Sequence, residues 1–554
     1  MINRTNLRFK ALPAEAPSLF PEDIFNKIPS DHPVRLVDMV VNNLDIDNFL
    51  AMYKGGGAPG FHPRMMIKVL FYAYLSNIYS CRKIEKALHE NIFFMWIAGN
   101  STPDFRTINH FRSTRLKEHI KDLFADIVRI LQRLGYVSLQ MQYIDGTKIE
   151  SASGRYTFVW RKNVERNKER LEAKIESVLS DIESQIREDQ QEANKTETPR
   201  KIDSAELKKK LSELNTTLRQ SDKQTKKQLQ KLQTEHLPRL EKYEQQLEIL
   251  DGRNSYSKTD TDATFMRLKE DHLQTGQLKP AYNAQISTEE QFVTNYSLHQ
   301  TAGDTTTLEK HLDSFEESYQ MQSTEVIADA GYGSEENYEM MEGKNIDAYV
   351  KYNYYDKEKT RGHRHNPFLS SNLYYNTEKD YFVCPMGQHM ERKDESRKIS
   401  QNGYESAITH YEAKNCKGCP LRGMCHDSEG NRRISINHRL NELRAKARNM
   451  LDSELGKAHR IKRSIEPESV FGQLKWNNGF KRFTLRGLDK VAIEMGLMLI
   501  GHNLRKLVKS APSNGKTPES SNCKRTFGTF NTSSTTVGHS ARIFRMNSKL
   551  NSAA

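Results

Sequence analysis

Long apolar runs, cysteine and tryptophan are all scarce in this chain of 554 residues. No run of about 18 apolar residues occurs, so no membrane-spanning helix is expected. The opening "MINRTNLRFKALPAEAPSLF" also lacks the apolar core of a secretory signal. Six cysteines are too few for a secreted scaffold built on disulfides, and four of them, Cys384, Cys416, Cys419 and Cys425, fall in one short span. A soluble protein of the reducing cytoplasm is the expectation. Glycine is absent from Arg155 to Asp251, where the prolines are Pro199 and Pro238. Acidic residues are in deficit: 84 Lys and Arg stand against 71 Asp and Glu, a net charge of +13. From Asn431 to Ser510 the counts are 18 basic and 7 acidic. Such an excess favours a polyanionic partner, nucleic acid, over an acidic small molecule.

The length exceeds one ordinary core, so roughly two or three domains are expected. Residues 1–135 read as a helical domain. In it "STPDFRTINHFRSTRLKEHIKDLFADIVRILQRLG" starts with Pro103 and Asp104 in positions that suit a helix N-terminus. Arg106, Asn109, Arg112 and Arg115 at its outset suit a helix-turn-helix DNA reader, or equally the charged outer face of a bundle. "VSLQMQYIDG" then alternates as a strand with Asp145 in the register of Val137, Leu139, Met141 and Tyr143. Residues 161–251 predict an inserted coiled-coil hairpin: Leu171, Ile175, Val178 and Ile182 form one apolar seam, Leu207, Leu211, Leu214 and Leu218 the other, with a break near Pro199. Residues 136–160 and 252–360 together give three sequential strands, a helix, a strand ending in Asp329, a helix and a strand. That order predicts a mixed sheet covered by helices. Residues 361–430 form a cysteine-rich insertion, 431–510 a helical part with Glu468, and the Ser-, Thr- and Asn-rich 511–554 a disordered tail.

Two kinds of site are suggested. Asp145 in mid-sheet, Asp329 at a strand end and Glu468 on a helix have the contexts from which carboxylates converge on a pair of Mg²⁺ ions. Each also has a structural reading: a hairpin turn at Asp145-Gly146, a strand-end turn at Asp329, and a helix first turn at Glu468. In "IEPESVFGQLK", Glu466 precedes Pro467, whereas Glu468 shares a helix face with Lys475 seven residues on. Glu468 is therefore preferred over Glu466. The cysteines form a C-x₂-C pair with two flanking thiols, a set that closes a tetrahedral Zn²⁺ site, with His389 or His426 able to replace one ligand.

The stretches "YIDGTKIESASGRYTFVWRKN", "SKTDTDATFM", "YNAQI", "VIADAGYGSEEN" and "IEPESVFGQLKWNNGFKRFTLRGLDKVAIE…HNLRKL" resemble the DDE transposases of bacterial insertion sequences, in the branch with an N-terminal helical domain. The resemblance implies an α/β fold with a ribonuclease-H-like core, Asp145, Asp329 and Glu468 as a metal-binding triad, and two Mg²⁺ or Mn²⁺ ions. It implies cleavage at transposon ends, transfer of the freed 3′-hydroxyl to target DNA, and a homodimer on double-stranded DNA. Trp160, Lys162, Arg463, Lys475, Lys481, Arg482 and Arg486 are the expected DNA contacts of the core. In the related Tyr-Arg-Glu-Lys signature the Arg place is taken by Ser464 and the Tyr place by Ile461, with Arg463 one position from the former. Asp260 and Asp262 fit a motif of this branch and also fit a loop cap. The rival readings are a nuclease that cuts without joining and a zinc-containing DNA binder without activity.

Overall fold

Strand β1 (Met141–Glu150) sits in the middle of the principal sheet. The expected strand begins four residues earlier, but Leu139 takes a left-handed conformation (φ 64°). The bend is held because Glu289 accepts the N–H groups of Ser138 and Leu139 at 2.7 and 2.8 Å. Next come the short strands β2 (Phe158–Trp160) and β3 (Ser255–Ser257), which pair with each other, then β4 (Thr264–Arg267), β5 (Leu278–Glu289), β6 (Phe292–His299), β7 (Glu325–Ala328) and β8 (Asp347–Val350). The sheet runs β4-β5-β1-β7-β8, with β6 also on β5. β1 is antiparallel to β5 and parallel to β7, and β7 is parallel to β8. The mixed sheet is thus as expected from the strand order. This computed structural model describes residues 24–51, 60–190, 203–217, 223–268, 276–400 and 402–510; the expected tail at 511–554 lies outside them.

Helices Pro33–Asn42, Pro63–Leu75, Cys81–Glu90 and Ile120–Arg133 form the N-terminal bundle. They share one apolar core with the sheet and the long helix Leu488–Ser510, in which Leu70, Phe124, Tyr296 and Leu497 are fully or nearly buried. Contact is close enough to need glycine: a Cβ on Gly496 would lie 2.5 Å from the Tyr296 hydroxyl, and one on Gly501 3.0 Å from the Tyr74 backbone. Asp104 caps the helix Phe105–His110 by accepting the Thr107 N–H at 2.7 Å, so the helix starts after Asp104 and Pro103 precedes the cap.

Two insertions differ from expectation. The glycine-free stretch forms a long helix, Arg161–Gln190, a second, Ser204–Thr217, and a returning column, Lys223–Lys231 and Leu237–Leu250 joined by a π turn. Leu171, Ile175, Leu179, Ile182, Leu207, Leu211, Leu229, Leu232 and Leu240 share one core, so three helical arms pack where a two-helix hairpin is read from the heptads. The third arm carries Leu229, Leu232, Leu237, Leu240, Leu247 and Leu250, but the π turn Leu232–His236 breaks their spacing, so no regular seam is read there; Leu218 and Pro199 lie outside the described residues. The cysteine-rich insertion holds a five-stranded antiparallel sheet: β9 (Tyr374–Asn376), β10 (Tyr381–Val383), β11 (His389–Ile399), β12 (Glu405–Ala413) and β13 (Arg433–Ile436). Its longest strand, β11, exposes every residue but Met390, which erases the alternation that marks a strand. Among the described residues no helix is long and apolar enough to cross a membrane.

A polar chain runs under the sheet. Ser287 donates to Gln142 (2.6 Å), so its oxygen accepts the Nε2 proton of His311 (2.7 Å). His311 Nδ1 then accepts from Ser297 (2.7 Å), whose oxygen accepts from His299 (2.7 Å). This pattern requires neutral His311. Burial, with like charge from His299 and Lys121, pushes its pKa down from 6.5 to about 3, and burial with Lys310 and Lys121 pushes His299 to about 4. A pKa lowered by folding means stability that is complete above 6.5 and lost as pH falls toward the folded value. Urea unfolding at pH 7.5 and 5.5 should show a loss approaching about 1.4 kcal/mol per histidine per pH unit below 6.5. In His311→Gln that slope should diminish.

Candidate active site

Register brings the first two carboxylates together. Ile144 of β1 stands opposite Ala328 of β7, and Asp145 and Asp329 are the next residues of these parallel neighbours. Adjacent strands lie about 4.8 Å apart, so the two acids are neighbours where the β1–β7 pairing ends, in the middle of β1. Asp145 Oδ1 accepts the Gly146 N–H at 2.8 Å. Asp329 pairs with Arg463 Nη2 at 3.1 Å. Burial raises the Asp329 pKa, but Arg463 and the Ala330 N–H outweigh it and hold the carboxyl below its usual value. Tyr332 is buried beside them, its phenol raised first by burial and then by Asp304, Asp145 and Asp329, with Arg463 opposing.

Glu468 enters through the helix Glu466–Gly472. It lines a pocket with Ala328, Lys351, Arg460, Arg463 and Ser464, and Arg463 is also the partner of Asp329. In that pocket Arg463 Nη1 and Arg460 Nε are buried donors without a hydrogen-bond acceptor. Glu466 points elsewhere. It is 2 % exposed, and its Oε2 accepts the Gln291 N–H at 2.6 Å. Glu290 and Gln291 form the β5–β6 turn with φ of 50° and 58°, a left-handed pair that suits a two-residue hairpin but is built here without glycine. Glu466 braces that turn, and burial raises its own pKa. One glutamate thus serves the fold, and the other faces the pocket.

The basic residues divide in the same way. Lys475 is buried and donates to Thr147 Oγ1 (2.6 Å) and Lys148 O (3.1 Å), tying the π turn Gln473–Asn477 to β1. Arg482 donates to Ser151 O and Ser153 O, both at 2.9 Å, and Arg486 to Ala152 O at 3.0 Å; together they hold the turn after β1. Arg112, expected as a base reader, is 4 % exposed and donates to the Tyr74 hydroxyl, Tyr79 O and the Asn109 side-chain oxygen. Its place is the bundle interior, because the π turn Phe111–Arg115 rotates it inward; Arg106 and Asn109 remain on the exposed side. Trp160 packs half-buried against Phe158 and Phe265, and Lys162 is exposed at the start of the first arm. Lys481 lies 3.6 Å over the ring of Trp476, which is 54 % exposed. Sequence reading passes over Trp476, although an exposed tryptophan next to Lys475 is the kind of signal that finds such a residue. Asp260 and Asp262 accept the N–H groups of Gly487 (3.0 Å) and Leu488 (2.8 Å), so both cap the long C-terminal helix.

The four clustered cysteines are free thiols lining one small pocket with His426 and Arg432. Arg432 donates its backbone N–H to Cys416 Sγ (3.3 Å) and its Nη1 to Cys425 Sγ (3.0 Å). His426 Nε2 is buried in this pocket without a partner, whereas His389 stacks on Tyr381 at 3.9 Å. Among the described residues, no three His, Cys, Asp or Glu donors stand close enough to form a ready metal cluster, at either site. The donor chemistry nonetheless fits: oxygen-only acids where the β1–β7 pairing ends suit Mg²⁺, and four sulfurs with an unused imidazole nitrogen suit Zn²⁺.

Two family models match the chain. Residues 383–508, which include the cysteines and Glu468, match a transposase DDE domain, and residues 22–114, the bundle, match a transposase domain known as DUF772. No curated protein and no solved structure matches significantly. The Arg463–Asp329 pair generates a test by carboxyl NMR titration. In Arg463→Gln the largest cause opposing burial is lost, and the Asp329 pKa should rise.

Proposed function

We propose that this chain, an insertion-sequence-type DDE transposase by its two matched domains, binds the terminal inverted repeats of its element and catalyses DNA cleavage and strand transfer. The reading is supported by the strand register that makes Asp145 and Asp329 neighbours and by the pocket that Glu468 shares with Arg463, the partner of Asp329. Three antiparallel strands followed by two parallel ones through helical crossovers support a ribonuclease-H-like core. Asp145, Asp329 and Glu468 would hold Mg²⁺ or Mn²⁺. Two such ions supply charge neutralisation at the attacked phosphate and an activated oxygen nucleophile.

The chain's own residues account for substrate binding. Arg463 and Arg460 line the Glu468 pocket as cations for phosphate oxygens, and the exposed Trp476–Lys481 pair offers a ring for a base and a cation for the backbone. Arg106 and Asn109 are the exposed candidates on the bundle for DNA contact. In the reaction water attacks the phosphodiester at the element's end, breaking the P–O bond to the 3′-oxygen, which leaves as a hydroxyl. That hydroxyl then attacks a target phosphodiester and displaces the target's 3′-oxygen, so no covalent protein–DNA intermediate forms. The protein works as a homodimer on double-stranded DNA in the cytoplasm. A structural Zn²⁺ held by Cys384, Cys416, Cys419 and Cys425 completes the small sheet.

Radiolabelled end DNA with Mg²⁺ tests the assignment of the glutamates. Glu468→Gln should lower cleavage by at least about 100-fold, whereas Glu466→Gln, which keeps an acceptor for the Gln291 N–H, should cleave normally. Pre-cut ends should yield joined products; products of cutting alone would make the protein a nuclease. For the zinc, mass spectrometry of the purified protein should find about one Zn per chain, lost in Cys419→Ser.

A further inference from the structure

We propose that the segment leaving strand β8 is a grip for the phosphate backbone of duplex DNA, in which Lys357, Arg361 and Arg364 contact phosphates without reading base sequence. The inference rests on the DNA-cleaving function proposed above, and it concerns a stretch, residues 351–365, that falls between the two matched domains.

The segment starts at the candidate site. Val350 of β8 stands opposite Ala328 of the parallel strand β7, so the chain leaves β8 at the same end at which Asp329 follows β7. The first residue beyond the strand, Lys351, lines the pocket of Glu468 and Arg463. The stretch reads "KYNYYDKEKTRGHRH", and no acidic residue occurs from Lys359 to Thr377.

Its cations fall into two groups. One group fastens the segment down. Lys351 pairs with Asp356 at 3.0 Å, and Lys359 pairs with Asp452 at 2.6 Å. The buried Tyr355 donates to the same Asp452 (2.6 Å), and the buried Tyr352 donates to Glu358 (2.7 Å), whose carboxylate also pairs with Arg448. Asp452 and Arg448 belong to the helix His438–Asp452, so the segment is pinned to that helix at two points. The other group is unspent. Lys357, Arg361 and Arg364 are exposed and, among the described residues, pair with no carboxylate. Lys357 lies 5.6 Å over the ring of Tyr354, which is 49 % exposed, so an exposed ring holds an exposed ammonium. Arg361 and Arg364 stand three residues apart on one short helical turn and are neighbours on its surface.

Three unneutralised cations on a pinned support suit a polyanion, because each phosphate bound releases counterions and little further order is lost. Contacts of this kind position a nucleic acid and carry no base information. A platform for single strands needs open rings on which bases stack. Of the segment's tyrosines, Tyr352 and Tyr355 are buried and Tyr354 already carries Lys357, so the fit is to a duplex backbone.

The test is binding of the full chain to two duplexes of equal length, one with the element's end sequence and one unrelated, over a series of salt concentrations. The proteins are wild type, the triple variant Lys357→Gln, Arg361→Gln, Arg364→Gln, and Lys359→Gln as the paired control. In the triple variant the slope of log affinity against log salt should become shallower by about 2 to 3, and affinity near physiological salt should fall roughly 10- to 100-fold on both duplexes alike. Its melting temperature should match wild type, since none of the three holds an ion pair, and Lys359→Gln should keep the wild-type slope. An unchanged slope in the triple variant, a loss confined to the end duplex, or an equal change in Lys359→Gln overturns the proposal. If the triple variant is destabilised, Arg361→Gln and Arg364→Gln decide singly, each expected to remove about 0.9 from the slope. Wild-type protein that binds neither duplex would instead overturn the underlying function on DNA.

Discussion

The parallel pairing of β1 with β7 is the interaction on which the candidate site depends. It sets Asp145 and Asp329 side by side where that pairing ends, in a sheet whose neighbouring residues are buried. Two acids in that place repel each other and lose hydration, a cost that needs compensation. Arg463 supplies part of it directly, and the N–H groups that follow Asp145 and Asp329 supply more. Glu468 is carried by a helix whose orientation is fixed separately, by the buried Glu466 bracing the β5–β6 turn and by Lys475 gripping β1.

This division also explains how the positive charge is spent. Net charge alone points to DNA, yet Arg112, Arg482, Arg486 and Lys475 all donate to groups of the protein itself, where they close a bundle, a turn and a strand. A guanidinium has several donors in a rigid fork, which suits it to gathering backbone carbonyls at chain reversals. Lys481, stacked on the exposed Trp476, is left facing outward, whereas Arg460 Nε and Arg463 Nη1 are buried donors without an acceptor.

Much of the fold is legible in the sequence because the relevant periods are undisturbed. Alternation identifies β1, β5 and β6, and the Pro467 boundary with the seven-residue spacing to Lys475 separates Glu468 from Glu466. What escapes has physical causes. β11 is charged on both faces, so no period of two survives, and the small sheet around the cysteines goes unread. The leucines of the third helical arm lose their regular spacing at the π turn Leu232–His236, so its seam is not read. The inward turn of Arg112 depends on a π turn that composition does not announce.

Anomalous diffraction from crystals of the chain soaked in Mn²⁺ tests the central claim most directly. The account predicts manganese density bounded by the carboxylates of Asp145, Asp329 and Glu468. Manganese bound elsewhere, with Glu468 turned away from the two aspartates, would contradict it.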